Sequence, residues 1–197
     1  MKRIFDFTVS LLGLLILLPF FIILALIIWI SMGWPVLFRQ TRVGYCGHEF
    51  RIVKFRTMIK NADRNGPEVT SSDDPRRTPV GRFLRRYKLD EIPQLINVLT
   101  GDMSLVGPRP EVPRYVALYN DRQRRVLDVK PGITDPATLA YRNEEDVLAQ
   151  YEDRQRAYID KIMPDKLRLN LEYIERRTFL SDLGLIFRTF IDVFKTS

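Results

Sequence analysis

The chain has 197 residues, enough for one domain or one domain with an appendage, and its 46% hydrophobic content suffices for a packed core. A net charge of +7 points to an anionic partner: nucleic acid, anionic lipid or a phosphorylated small molecule. Cys46 and His48 are alone of their kinds, which excludes an intramolecular disulfide, argues against a Cys/His zinc site or a serine–histidine triad, and leaves carboxylates, Lys, Arg and a hard cation such as Mg²⁺.

From Leu11 to Ile30 the chain reads LLGLLILLPFFIILALIIWI, without a charge. A helix needs roughly 20 apolar residues to cross a bilayer, while a signal peptide has an apolar region of about 7–15 with a small-residue cleavage site after it. SMGWPVLF follows here, so an uncleaved anchor is expected over residues 1–34. Pro19 sits mid-run, where it removes a helix hydrogen bond. Lys2 and Arg3 precede the run and Arg39 and Arg42 follow it, so the positive-inside rule pulls both ends toward the cytoplasm. A helix that enters, kinks at Pro19 and returns to the same face satisfies both observations; a straight span with a proline kink is the alternative.

Residues 35–197 are read as one cytoplasmic domain. VLFRQTRVGYCGHEFRIVKFRTM predicts two short strands around a Gly44–Gly47 turn, with Arg51, Lys54 and Arg56 alternating against apolar neighbours as a solvated face would. Asn61–Pro79 is polar and rich in turn formers, hence a loop, whose closure over a substrate would be a further expectation. RFLRRYK (Arg82 to Lys88) carries four positive charges and runs straight into Asp90 and Glu91. Pro93 fits a first helical turn and Gly101 its end, so the acidic pair lies just ahead of a helix N-terminus. The simplest reading makes these two capping acids, salt-bridged to Arg85 and Arg86.

Helical spacing continues over Pro113–Leu127, over EEDVLAQYEDRQRAYIDKI and over DKLRLNLEYIERR. In SDLGLIFRTFIDVF, Leu183, Ile186, Phe187, Phe190 and Phe194 fall near one face, as core helix by default or as a helix at a membrane surface.

A carboxylate can act as nucleophile, general base or metal ligand. Arg85, Arg86 and Arg109 would keep it ionised and grip phosphate, with Arg109 held on a stiff loop by the prolines of GPRP. Spacing alone reaches a phosphate-handling site beside a membrane.

The matching pieces are an N-terminal FD before an apolar run with a central proline, KFRTM (Lys54 to Met58), RRYKLDEIPQLINVLTGDMSLVGPRP and KPGIT (Lys130 to Thr134). In them the chain resembles the bacterial sugar transferases, the small monotopic polyprenyl-phosphate phosphoglycosyl transferases. The resemblance implies an α+β, mostly helical fold with a re-entrant N-terminal membrane helix, a short β-hairpin and amphipathic helices at the membrane surface. It implies transfer of a phospho-sugar from a UDP-sugar to undecaprenyl phosphate, with release of UMP, as the first membrane step of surface glycan synthesis. The place would be the cytoplasmic face of the bacterial inner membrane. Asp90 would be the nucleophile and would form a covalent phospho-sugar aspartate. Glu91 would assist with Mg²⁺ or proton handling, the metal lying at Asp90 and Glu91. Arg109 would hold phosphate, with Lys54 and Arg85 as further candidates.

Two stretches depart from the family. Leu18 stands where a serine commonly precedes the proline, and DPATLAYRNEED (Asp135 to Asp146) replaces a Gly-Trp-Ala-Gln stretch that would bear on sugar or nucleotide recognition. No additional N-terminal multi-span domain is expected. Partners are then the UDP-sugar, undecaprenyl phosphate and membrane lipids, without nucleic acid; a homodimer through the C-terminal helices is conceivable. A membrane-tethered binding protein would show no nucleotide turnover, and a plain glycosyl transferase would release UDP.

Overall fold

The computed structural model describes residues 1–62 and 69–194, with side chains as far as Asp192. The chain is mostly helical. Its first element, α1 (Lys2–Met32), is 31 residues of nearly unbroken Leu, Ile and Phe with Pro19 inside, about 46 Å of helix at 1.5 Å per residue. Leu15, Ile16, Ile22, Ile23 and Ile30 leave more than half of their surface exposed, an apolar face suited to lipid rather than water. The helix is long and apolar enough to cross a membrane.

Both ends of α1 are nevertheless tied to the rest of the chain. At the start, Lys2 pairs with Asp182, Arg3 donates to the Leu99 carbonyl, and Asp6 accepts from Ser104 Oγ at 2.8 Å. At the far end Leu24 and Ile28 pack in one cluster with Phe55 and Leu84, and Arg56 donates to the carbonyls of Met32 and Gly33, which the helix itself leaves unpaired. Ile28, Phe55 and Leu84 are essentially inaccessible, and burial of each contributes about 1.5–3 kcal/mol.

The expected hairpin is present: β1 (Leu37–Val43) pairs antiparallel with β2 (Glu49–Phe55), Phe38 opposite Lys54. Of the basic residues on its second arm only Arg51 is solvated, however. Arg56 is buried against α1, and the Lys54 side chain is 16% exposed in a cleft. Then come α2 (Pro79–Arg86), a 3₁₀ turn at Leu89–Glu91, and α3 (Gln94–Thr100), which Gly101 ends at φ 98. Thr78 caps α2 through the Gly81 N–H at 3.0 Å. Gly81 is obligatory for another reason: a Cβ there would lie 1.8 Å from the Thr57 carbonyl oxygen.

β3 (Ser104–Val106) pairs in parallel with β4 (Gly132–Thr134), a second sheet that the short apolar runs did not announce. Here the backbones of Gly107 and Gly132 touch, since a Cβ at Gly132 would lie 2.1 Å from the Gly107 nitrogen. The helix expected over Pro113–Leu127 is two short ones, α4 (Pro113–Val116) and α5 (Asp121–Arg124), because Asn120 and Gln123 form a capping box that restarts the chain. After α6 (Pro136–Ala140), the stretch EEDVLAQYEDRQRAYIDKI likewise divides into α7 (Glu144–Ala149), α8 (Arg154–Ala157, capped by Asp153) and a π-helical turn over Tyr158–Ile162.

That turn leads into α9 (Met163–Arg176), and α10 (Phe179–Phe194) ends the described chain. On α10, Leu185 and Ile186 pack inward while Phe187 and Phe190 are more than 60% exposed, so the core assignment holds for only part of that helix. The Phe194 side chain lies outside the described residues. So do residues 63–68 of the expected Asn61–Pro79 loop, whose described part is anchored by a 2.7 Å ion pair between Arg76 and Asp74.

Candidate active site

The strand β2, the turn before α3 and the Pro108–Pro110 loop meet at one cleft of about 630 Å³. Lys54, Arg85, Asp90, Glu91 and Arg109 all line it. Lys54 Nζ lies 2.9 Å from Glu91 Oε1, and Arg109 grips both Glu91 oxygens, Nη1 to Oε2 at 3.2 Å. The expected pairing of the dyad with Arg85 and Arg86 is not what forms. Arg85 donates to Thr57 at 2.9 Å and to Glu145 at 2.9 Å, while Arg86 rests over the Tyr87 ring.

Three local devices set this geometry. Asn97 clamps α3 to the edge of β2, accepting from the Val53 N–H and donating to the Arg51 carbonyl, both at 2.9 Å. Lys88 adopts the left-handed conformation at φ 55, uncommon for a side chain with a Cβ, and turns the chain so that Asp90 and Glu91 enter the cleft. The Gly107–Gly132 contact holds the start of Pro108-Arg109-Pro110, and buried Asp135 accepts from the Arg109 N–H at 2.7 Å and the Thr138 N–H at 2.6 Å.

Asp90 is 6% exposed, and its Oδ1 has no hydrogen-bond partner among the described residues. Burial, followed by the charge of Glu91, pushes its carboxyl above the usual range, against the pull of Lys54, Arg85 and Lys88. Burial also acts upward on Glu91, but Arg109 and Lys54 outweigh it and hold that carboxyl well below its usual value. Lys54 is brought down to about 8 by burial. Such an unpartnered buried carboxylate oxygen beside a compensated ion cluster is costly to a fold and suited to a nucleophile or a metal ligand.

No three His, Cys, Asp or Glu side chains gather around one point among the described residues. Mg²⁺ usually takes one or two carboxylates and fills its other positions with phosphate oxygens and water. The open Asp90 oxygen, with Glu91 adjacent, fits that donor set.

Sequence reading did not single out Asn97, Glu145 or the role of Asp135. The signals were a polar residue inside LINVL and an Asp-Pro-x-Thr cap. Glu145, from the stretch that departs from the family, also lines the cleft.

The profile of the bacterial sugar transferase family matches residues 1–196. The UDP-glucose:undecaprenyl-phosphate glucose-1-phosphate transferase of Escherichia coli is 38% identical over 96% of this chain, which spans 39% of that protein. The undecaprenyl-phosphate glucose phosphotransferase of Komagataeibacter xylinus is 40% identical over 95% of the chain and 35% of its own length. The exopolysaccharide production protein ExoY of Sinorhizobium fredii is 32% identical over 95% of the chain and 83% of its own length.

Proposed function

Because the chain belongs to the bacterial sugar transferase family, we propose that it transfers a sugar 1-phosphate from a UDP-sugar to undecaprenyl phosphate, beginning a surface glycan. The observation that carries this reading is the unpartnered oxygen of buried Asp90 beside the Lys54–Glu91–Arg109 cluster.

Asp90 Oδ1 attacks the phosphorus that bears the sugar. The bond to the bridging oxygen breaks, and UMP leaves with its electron pair. An oxygen of the lipid phosphate then attacks the same phosphorus and releases Asp90, giving a lipid diphosphate sugar. Splitting one displacement into two lets a soluble donor and a membrane acceptor use the site in turn. Lys88 and Arg85 add positive charge near the attacking carboxylate, and Lys54 and Arg109 neutralise the donor phosphates. Mg²⁺ at Asp90 and Glu91 supplies further charge neutralisation when bound.

The acceptor lies in the bilayer, so α1 is read as re-entrant and the site as facing the cytoplasm at the inner membrane. Attachment of both ends of α1 to the same domain supports that reading, because both ends then lie on the side of the membrane where that domain stands.

The test uses detergent-purified protein, Mg²⁺ and a panel of UDP-sugars, with and without undecaprenyl phosphate. UMP should appear, with a burst of about one per protein when the lipid is withheld. Asp90→Asn should abolish both. Release of UDP, or an unaffected variant, overturns the reading.

A further inference from the structure

Beyond the phosphoryl centre, the same cleft is walled by α9 and by tyrosines: Tyr115, Tyr119, Tyr158, Met163 and Leu167 line it, together with Asn170. The charged groups along this wall are matched among themselves. Tyr158 donates to Glu111, which also pairs with Arg42, and Lys166 pairs with Glu144 at 2.6 Å. Asn170 is different. It is 4% exposed, yet its Oδ1 has no hydrogen-bond partner among the described residues. A buried carboxamide without a partner weakens a fold, and Leu at this position of an amphipathic helix would avoid the cost.

A carboxamide in a cleft is a specific instrument. It offers one acceptor and a pair of donors in a plane, and here the acceptor is the atom left without a partner. Uracil presents the complement on one edge, the N3–H donor flanked by two carbonyl acceptors, and its faces are apolar enough to lie against tyrosine, methionine and leucine. A hexose carries hydroxyls around its whole rim and has no flat apolar face of the kind that this wall of Tyr115, Tyr119, Met163 and Leu167 would cover. The phosphoryl end, by contrast, is fully charged, as a diphosphate requires. We infer that Asn170 reads the base of the donor nucleotide, accepting from uracil N3–H and donating to an adjacent carbonyl, so that it sets the choice of uridine over other nucleotides. This rests on the nucleotide-sugar reading of the cleft.

The experiment measures binding of UMP, CMP and AMP to the full-length protein in detergent by calorimetry, beside turnover of UDP-glucose, CDP-glucose and UDP-galactose. Wild type should prefer UMP, and Asn170→Ala should cut that preference about 10- to 100-fold and raise the KM for UDP-glucose. Asn170→Asp keeps the volume, removes the donor and should behave alike, which guards against loss of folding in the alanine variant; melting temperatures identify such a loss. Wild type that binds UMP no better than CMP overturns the inference. So does an unchanged preference in both variants, or a loss of discrimination between UDP-glucose and UDP-galactose with base choice intact. Selective UMP binding without UMP release from any donor would instead overturn the proposed transfer and leave Asn170 as the base reader.

Discussion

Replacing Glu91 by glutamine removes the one negative charge that Lys54 and Arg109 share and leaves two cations in a cleft that excludes most water. The side chains of Glu91 and Lys54 are 13% and 16% exposed and that of Arg109 is 31% exposed. Breaking a buried pair costs about 3–5 kcal/mol, and the more exposed Arg109 is partly screened, so about 3 kcal/mol is expected. At 2–4 °C per kcal/mol for a chain of this size, the melting temperature in detergent should fall by about 6–12 °C. Glu91→Gln combined with Lys54→Met removes one stranded cation and should recover about half of that loss. A second readout is independent of stability. The Glu91 charge is one of the causes that raise Asp90, so its removal should move the acid limb of the pH–rate profile to lower pH. Glu91→Gln melting with wild type, a double variant less stable than the single, or an acid limb displaced upward would refute the account of this cluster.

Other predictions follow from the same contacts. Lys54 sits at about 8, and a bound phosphate raises a lysine, so donor affinity should be complete below pH 8 and decline as pH rises through it; Lys54→Arg, charged throughout, should flatten the KM profile between pH 7 and 9.5. Asp135→Ala strands the Arg109 and Thr138 amides and should cost about 2–4 kcal/mol with a loss of kcat, whereas Asp135→Asn, which still accepts, should keep most of both in denaturant melts and turnover. Ile4 and Trp34 lie at the two ends of the anchor and are 72% and 76% exposed. In a Cys46→Ser background, cysteine at either position should resist an impermeant maleimide applied to intact cells and react after lysis. Labelling of one end alone from outside would establish a straight span.

The dyad and the arginine loop were legible because their residues stand close together in a motif of fixed spacing. The helix from Pro93 to Gly101 was legible for a local reason too, since a proline start and a left-handed glycine end are written in single residues. The partners of the charges were not. Glu91 chooses Lys54, 37 positions away, over Arg85 and Arg86 because Asn97 fixes α3 on β2 and Glu145 draws Arg85 aside. Strands of three residues such as β3 and β4 carry too little pattern to be seen, and their pairing depends on two glycines far apart in the chain. Nothing in the sequence sets Asn170 apart from other polar helix residues; its burial and the unpartnered Oδ1 distinguish it.

The clasp at the start of α1 has a consequence for how the protein is made. Lys2 meets Asp182, Phe5 meets Phe179 edge to face, and Asp6 meets Ser104, so α1 is seated by elements that are made after it. At 5–20 residues per second, about 9–36 s separate the synthesis of Lys2 from that of Asp182. During that interval Lys2, Phe5 and Asp6 lack these partners, and the apolar face of α1 stands without the residues that later clasp its start. Whatever takes up the apolar face of α1 therefore acts before α10 exists, and the rest of the chain assembles against a helix already in place.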